Sequence, residues 1–478
     1  MDYEVLSPPQ NMAISVAQKR YHFIGAGGIG MSGLARLLVR NNCMVTGSDM
    51  EDTAVINQLR SLGACISKGH DSANLPDNLE AVVISAAVKD DNPELIEARR
   101  RGCTVYKYAE MLGELMDCYD GLAVCGTHGK STTSGWLACL LASAGMDPSF
   151  IVGAEIPQLG CSSRAGGSDL FVAEACEYDR SFLNLHPKVC VMLNIEQDHL
   201  DYYRDEDEIV GAFTEFARGI KTDGVIVANG DDGNVSKVLD ALDADISCVT
   251  FGLSDGCDFT PANIVLEGGL HSFDVCRSGS VLGRTRISVP GEHNILNALA
   301  VIAAAVTVGI EPKVVLDLLG GFTGIDRRLM LKTQTGGITV LDDYAHHPTE
   351  IRASLAAIRQ RYAPQRIWCV FQPHQYSRTR FLLDDFAESF TLADITIVPE
   401  IYFVRDTAES RQTVNARVLV DRICANGSKA LYINDFPEIC EHLKNNVRPG
   451  DLIVTMGAGN IWKVADEYIQ WLAGNSQD

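Results

Sequence analysis

The chain has 478 residues, 46% hydrophobic and 21% charged, an ordinary globular composition with room for two to four domains of roughly 100–200 residues. Its 40 basic and 62 acidic side chains leave a net charge of −22, which excludes non-specific binding to DNA, RNA or an anionic membrane but not the local capture of a nucleotide. The 15 cysteines contain no C-x2–4-C pair, no apolar run approaches the ~20 residues of a membrane span, and the first twenty residues lack a signal-peptide core, so buried free thiols and a cytoplasmic location are expected.

In chain order, "YHFIGAG" predicts a strand running into glycines, and "MSGLARLLVRN" a helix with Leu34, Leu37 and Leu38 on one face. "CMVTGSD", the helix "AVINQLRSLG" and the buried strand "AVVISAAV" continue a βαβ series, hence a parallel sheet with covered faces. Gly25-x-Gly27-x-x-Gly30 follows a strand and opens a helix, with Asp49 nineteen residues further on, the pattern of a dinucleotide fingerprint. Gly25 would make the turn, Gly27 would let a diphosphate approach the backbone, and Gly30 would allow close helix packing. The pattern speaks for a diphosphate near a βα turn, of which NAD is one bearer and a UDP-sugar another. A tight turn without a ligand stays open, and Asp49 reads equally as a ribose partner or as a cap of the next helix.

A second αβ series begins at "GLAVCGTHGKSTTSGWLACLLASAG". Gly126-Thr127-His128-Gly129-Lys130-Ser131 is a shortened phosphate loop. Backbone N–H groups after Gly126 would cradle phosphate oxygens, Lys130 would add a point charge, and Ser131 would offer a hydroxyl to Mg2+. "DLFVAEA", "VCVMLNI" and "GVIVAN" read as buried strands. Two acidic clusters follow strands: Glu174, Glu177 and Asp179, then Glu196, Asp198, His199 and Asp201. Either alone reads as a solvated loop; both together after a phosphate loop suit a Mg2+–nucleoside triphosphate. Residues 246–290 look antiparallel, and "NILNALAVIAAAVTVG" is an apolar helix. A third αβ series starts near residue 326, with "GITVLDDYA", "RIWCVFQPH" and "DLIVTMGAG" as strands. The expected domains are 1–120, 121–325 and 326–478.

Nine segments in order across residues 25–462 resemble the ATP-dependent Mur ligases of peptidoglycan synthesis: "GAGGIGMSG", "GTHGKSTT", "FVAEACEYDRSFL", "NIEQDHLD", "GEHNILNALA", "DRR", "DDYAHHPTEI", "FQPHQYSRT" and "TMGAGNIW". Within that family "GAGGIGMSG" favours the alanine-adding branch over the murein-tripeptide recycling branch. The resemblance implies an α/β protein of three domains: a Rossmann-like N-terminal domain for the UDP-sugar, a central P-loop-type ATPase domain, and a Rossmann-like C-terminal domain that closes over ATP and helps hold the amino acid. It also implies joining of L-alanine to the lactyl carboxylate of UDP-N-acetylmuramate through an acyl phosphate. The cofactors it implies are ATP and Mg2+, two ions, with Mn2+ able to substitute.

Carried over residue by residue, the resemblance assigns Gly25, Gly27, Gly28, Ile29, Gly30, Asp49, His70 and Ser85 to the UDP-sugar. Gly126 through Thr132, Asn294, Asn297, Arg328 and Asp343 go to ATP, with Lys130, Glu174, His199 and Arg328 as catalytic residues and Ser131, Glu174 and His199 on the metal. Tyr344, His347, Arg378 and Arg380 go to closure and the amino acid. Asn294 reads also as an N-cap, "HHPTE" also as a helix start, and Arg327 as surface charge. Departures from the family pattern are Cys176 for Asp, Gln375 for Arg and Ser131 for Thr. Several sister ligases place a carbamylated lysine shortly after the equivalent of His199; residues 199–218 contain no lysine, so no carbamate is expected. Small-molecule substrates, no nucleic acid, no membrane insertion and a monomer or homodimer complete the expectation. An NAD-dependent oxidoreductase would leave "GTHGKS" unexplained. A non-catalytic UDP-sugar sensor would have no use for Lys130, Ser131, Glu174 and His199, and a ligase adding a preformed peptide remains a rival within the family.

Overall fold

A computed structural model describes residues 19–404, 406 and 410–475. Residues 1–18, which bear on the signal-peptide expectation, lie outside that set. Three sheets follow one another along the chain. The first holds β1 (Arg20–Ile24), β2 (Met44–Asp49), β3 (Cys65–Lys68), β4 (Ala81–Ile84) and β5 (Thr104–Lys107), all parallel, in the order β3-β2-β1-β4-β5. The strand order reverses between β1 and β4. A crevice opens at such a switch point beyond the strand C-termini, and here it lies beside Gly25 and Ser85. Helix α1 (Ile29–Arg40) leaves this crevice and buries Leu34, Leu37 and Leu38 completely, as their spacing predicts.

The second sheet has ten strands: β6 (Asp120–Cys125), β7 (Ser149–Ile156), β8 (Cys161–Arg164), β9 (Leu170–Glu174), β10 (Val189–Met192), β11 (Val225–Asn229), β12 (Ser247–Phe251), β13 (Phe259–Glu267), β14 (Leu270–Arg277) and β15 (Ser280–Arg286). Their order is β15-β14-β13-β12-β11-β10-β6-β9-β7-β8. β6 is the switch point, flanked by β10 and β9, so the segments after all three strands meet at one place. Helix α2 (Lys130–Ser143) rises from there with Trp136 fully buried, its Nε1 donating to Leu319 O at 3.0 Å. The antiparallel reading of residues 246–290 needs correction at its start. β12 pairs parallel to β11, because the helix Gly233–Asp240 carries the chain back across the sheet; antiparallel pairing holds from β13 to β15. Helix α3 (His293–Thr307) then packs its alanine-rich body into the same core.

The third sheet comprises β16 (Met330–Thr335), β17 (Ile338–Asp343), β18 (Arg366–Phe371), β19 (Ile395–Val398), β20 (Ala430–Tyr432) and β21 (Asp451–Met456), in the order β16-β17-β21-β18-β19-β20. Only β16 runs antiparallel. Helix α4 (Pro348–Tyr362) follows β17, with His347 as its cap and Pro348 in its first turn, which bears out the helix start read in "HHPTE". Helix α5 (Tyr376–Phe381) follows β18. The sheets are joined tightly. A Cβ on Gly33 of α1 would stand 3.2 Å from Ile151 and Ser163 of the second sheet, and Arg36 Nη1 donates to Ser163 O at 2.9 Å.

Candidate active site

The loop after β6 turns on Gly126 at φ +139° and Gly129 at φ +84°, conformations that suit glycine. α2 starts at Lys130 with no side-chain cap, so its first N–H groups can face an anion. The cradle is narrower than the sequence suggests: Thr127 N donates to Asn194 O (3.0 Å) and His128 N to Asn194 Oδ1 (2.8 Å), which straps the loop to the segment after β10. Lys130 Nζ folds back onto Gly126 O and Thr127 O and reaches Glu177 Oε1 at 2.9 Å. Burial works against its charge, but Glu177 outweighs that and pushes the ammonium up to about 12. Burial likewise works against the Glu177 carboxylate, yet Lys130 and His199 hold it below its ordinary value.

Ser131 Oγ donates to Glu174 Oε2 at 2.9 Å, and Gly153 N holds the other oxygen of that carboxylate. His199, at φ +53°, sets Nε2 3.4 Å from Glu177 Oε1. Glu174 and His199 thus both reach the phosphate loop, one through Ser131 and the other through Glu177 and Lys130. Ser131 and Glu174 offer oxygen donors only, a set that fits a hard divalent ion such as Mg2+.

A cavity of about 470 Å3 opens between the second and third sheets, lined among others by Gly129, Thr132, Asn294, Asn297, Arg328 and Asp343. Asn294 is not the cap of α3; Glu292 is, and Asn294 Nδ2 reaches back to Pro290 O at 2.7 Å. Asn297 Nδ2 donates to Asn294 Oδ1 at 2.9 Å. Asp343 ends β17 with Oδ1 accepting from Ala345 N and Oδ2 buried without a hydrogen-bond partner among the described residues. Burial pushes its carboxyl up to about 6. Arg328 lies 3.4 Å from Glu350 Oε1 and over the Tyr344 ring. Arg327 is not surface charge: its guanidinium bonds the buried Asp342 at 3.0 Å and Gly457 O at 2.8 Å.

The third domain docks on the phosphate loop through Glu350 and on the segment after β10 through Thr349, His347 and Arg378. His128 Nε2 lies 2.6 Å from Glu196 Oε2 and Nδ1 3.4 Å from Glu350 Oε1. Burial opposes a charged His128, but the two carboxylates push it up to about 9. Thr349 Oγ1 donates to Glu196 Oε1 at 2.8 Å, and His346 N to Glu350 Oε2 at 3.0 Å. His347 Nε2 lies 3.3 Å from Gln197 O. Arg378 gives both Nε (3.0 Å) and Nη2 (2.8 Å) to Asp198. Arg378 and Arg380 are not brought together. Two residues apart on α5, they point to different faces, and Arg380 lies exposed over the Phe381 ring. Gln375 is buried as the residue before α5, whereas Cys176 is exposed.

In the first glycine loop, Gly25 sits at φ +80° and donates to Ser48 O, and Gly27 N donates to Asp49 Oδ2 at 2.7 Å. Asp49 therefore does not cap the next helix; Thr53 does. Gly28 caps α1 by backbone alone and Ile29 is exposed beside it. A Cβ on Gly30 would fall 2.6 Å from the Tyr108 ring, so the glycine makes room for Tyr108. Ser85 Oγ lies against Gly25. His70 Nδ1 lies 2.8 Å from Ser48 Oγ, which itself bonds the fully buried Glu94, also bonded to His22.

Three family models match in succession: Mur ligase family, catalytic domain, over residues 20–119; Mur ligase middle domain over 124–305; and Mur ligase, glutamate ligase domain, over 327–459. A curated UDP-N-acetylmuramate–L-alanine ligase of Acetivibrio thermocellus is 43% identical across 95% of this chain and 96% of its own length. The protein of that name from Caldanaerobacter subterraneus is 42% identical across 95% and 97%. The chain belongs to the Mur ligase family. Among solved structures, this Mur ligase is similar to a UDP-N-acetylmuramate-alanine ligase of Thermotoga maritima (TM-score 0.78, 28% identity, 95% and 99% of the two chains). It is also similar to a murein peptide ligase of Psychrobacter arcticus (0.71, 27%, 96% and 99%). As a Mur ligase it is an ATP-dependent, α/β enzyme of three domains.

Four residues that organise the ligase's site were not assigned a role from the sequence: Glu177 as the counter-ion of Lys130, Asn194 as the strap of the loop, and Glu196 and Glu350 as the anions around His128. The signal for Glu177 and Glu196 was their place just past buried strands. Asn194 and Glu350 lie inside the segments "NIEQDHLD" and "DDYAHHPTEI", but no local pattern says what either side chain bonds.

Proposed function

We propose that this Mur ligase joins L-alanine to the lactyl carboxylate of UDP-N-acetylmuramate, converting ATP to ADP and phosphate in peptidoglycan precursor synthesis. The reading is supported by the names of relatives at 42–43% identity over 95% of the chain. The observation that carries it is the phosphate loop, with Lys130 and the Ser131–Glu174 pair, opening on a cavity that Arg328 and Asp343 close from the third domain.

A carboxylate is a poor electrophile and its oxide a poor leaving group, so the acid is first phosphorylated and the amine of L-alanine then displaces phosphate. The first step joins two anions, which makes charge neutralisation and positioning the enzyme's main tasks. Lys130 and Arg328 neutralise the phosphates. Asn294 and Asn297 present donor and acceptor groups to the adenine. The unpartnered Asp343 oxygen accepts from a ribose hydroxyl. Ser131 and Glu174 would hold one Mg2+ and Glu174 and His199 a second, with Mn2+ as a substitute; the ions would supply charge stabilisation to the transferring phosphoryl group. Gly25, Gly27, Gly28, Ile29 and Gly30 take the UDP diphosphate at the start of α1, with Asp49, His70 and Ser85 around it.

Arg378 and His347 serve the amino-acid step by holding the third domain closed, and Tyr344, packed under the Arg327 and Arg328 guanidinium groups, shapes the closure segment; Arg380, exposed, is left without a part in it. In this reading residues 1–120 bind the UDP-sugar, 121–325 ATP, and 326–478 close over both. The same reading takes the reaction to run in the cytoplasm. Among the described residues no helix is long and apolar enough to cross a membrane.

Phosphate release is the test, with ATP, Mg2+ and UDP-N-acetylmuramate, adding each amino acid or a preformed peptide in turn. L-alanine should drive the fastest release, with some leakage to L-serine and glycine, since small apolar differences discriminate by only about 1–3 kcal/mol. Lys130→Ala should abolish release while UDP-sugar binding survives, and peptide-dependent release would transfer the assignment to the recycling branch.

A further inference from the structure

Two imidazoles and a carboxylate meet at the junction of the second and third domains, apart from the Ser131–Glu174 pair. His128 belongs to the phosphate loop, Glu196 to the segment after β10, and His347 caps α4. One ligand atom from each lies within 4.8 Å of the others. Glu196 Oε2 is 2.6 Å from His128 Nε2 and 3.9 Å from His347 Nδ1.

The far side of each donor is also held. His347 Nε2 faces the Gln197 carbonyl at 3.3 Å; a carbonyl only accepts, so Nε2 carries the proton and Nδ1 presents its lone pair. His128 Nδ1 faces the Glu350 carboxylate at 3.4 Å, and Glu196 Oε1 accepts from the Thr349 hydroxyl at 2.8 Å. A carboxylate or backbone carbonyl behind each imidazole is the arrangement that orients histidines on transition metals.

We propose that His128, Glu196 and His347 form a binding site for a borderline-soft divalent cation, Zn2+ fitting best, that staples the third domain onto the phosphate loop. Two imidazoles and one carboxylate with a fourth position open is a zinc donor set, whereas Mg2+ prefers a shell made mostly of oxygens, and a site two-thirds imidazole suits it poorly even if a single histidine can join such a shell. His128 and Glu196 line the 470 Å3 cavity, so the fourth position is completed by water or a ligand oxygen from that side. Binding expels the His128 Nε2 proton to solvent, and the ion takes the place of that proton between His128 and Glu196; it also replaces the hydrogen bond of 3.3 Å from Thr349 N to His347 Nδ1. Two donors lie in the second domain and one in the third, so the ion fixes the closed arrangement. Its effect on turnover, slowing because the domains must part to release product, rests on the ligase reading; binding itself does not.

The test is titration of the chelator-treated full chain with Co2+ in excess Mg2+, followed by the visible absorption of tetrahedral cobalt. One equivalent should bind and be displaced by Zn2+. His347→Asn and the isosteric Glu196→Gln, each checked for an unchanged melting curve, should weaken binding by about tenfold or more. His199→Asn should leave the cobalt spectrum as it was. No tetrahedral spectrum, equal binding in folded Glu196→Gln, or loss in His199→Asn would overturn the proposal. Since no substrate is present, the result stands apart from the phosphate-release assay.

Discussion

Asn297 Oδ1 stands 2.8 Å from the point that a Cβ on Gly129 would occupy, and Gly129 itself is held at φ +84°. The amide of α3 and the turn of the phosphate loop therefore share one small space, and no residue but glycine fits both demands. Gly129→Ala should strain the backbone by about 1–2 kcal/mol and displace Asn297 from the cavity wall. The expected outcome is an ATP affinity at least about tenfold weaker with a melting temperature only slightly lowered, read by calorimetric titration and thermal melts. Undiminished ATP affinity in the folded variant would show that neither group shapes the nucleotide site.

The buried Asp343 carboxyl, raised to about 6, makes stability depend on pH with a definite sign. It binds its proton more tightly in the folded chain than in the unfolded one, where the value is about 3.9. Folding is therefore favoured as pH falls from 6 towards 4, and the charge costs up to about 3 kcal/mol at pH 8. Asp343→Asn should melt above the wild type at pH 8, with the gap closing by pH 4. Its nucleotide affinity should fall nonetheless, since an acceptor for the ribose is weakened. Parallel melts without nucleotide check the first point; a constant gap across the pH range would exclude a raised carboxyl.

Arg378 and Asp198 form an ion pair across the two domains with both side chains under a tenth exposed. Burial opposes the Asp198 charge, but the guanidinium holds it far below the usual carboxylate range. Removing one partner leaves the other charge buried, at a cost of about 3–5 kcal/mol. Asp198→Ala should destabilise by that amount where the closed arrangement contributes to the transition, while the double variant Asp198→Leu with Arg378→Met should recover most of it. Should Arg378→Lys raise KM for the amino acid alone and leave melting untouched, the guanidinium contacts substrate and not only Asp198.

The two glycine loops were legible because a strand passing into a helix around an anion demands glycine at fixed spacings, and those spacings survive in the chain as written. What the loops lean on was not. Lys130 and Glu177 are separated by 47 residues, His128 and Glu350 by 222, and only the switch point at β6 and the docking of the third domain bring them together. Arg327 read as surface charge because its partner Asp342 is an acid whose burial at the end of β17 no local pattern betrays. Asn294 read as a cap because it precedes an apolar run, yet α3 starts earlier and Glu292 takes that place. Arg378 and Arg380 looked alike in "YSRTR"; the short helix separates them.

The expectation that no carbamylated lysine serves the second metal position can be tested directly. Residues Glu206–Arg218 form a helix whose buried face is Ile209, Ala212, Phe213 and Phe216, with no lysine on any face. Lys221, just beyond, spends its ammonium on the backbone carbonyls of Asp117 and Tyr119. Glu177 meanwhile sets a carboxylate 3.4 Å from His199 Nε2, so a negative oxygen already stands beside that histidine without CO2 being taken up. The rate of phosphate release should be the same in CO2-free buffer as in buffer with added bicarbonate. A strong fall on removing CO2, restored by bicarbonate, would mean that a lysine from elsewhere in the chain reaches the second metal position. Glu177→Gln should in contrast lower the rate under both conditions, because Lys130 loses its counter-ion and His199 its neighbour together.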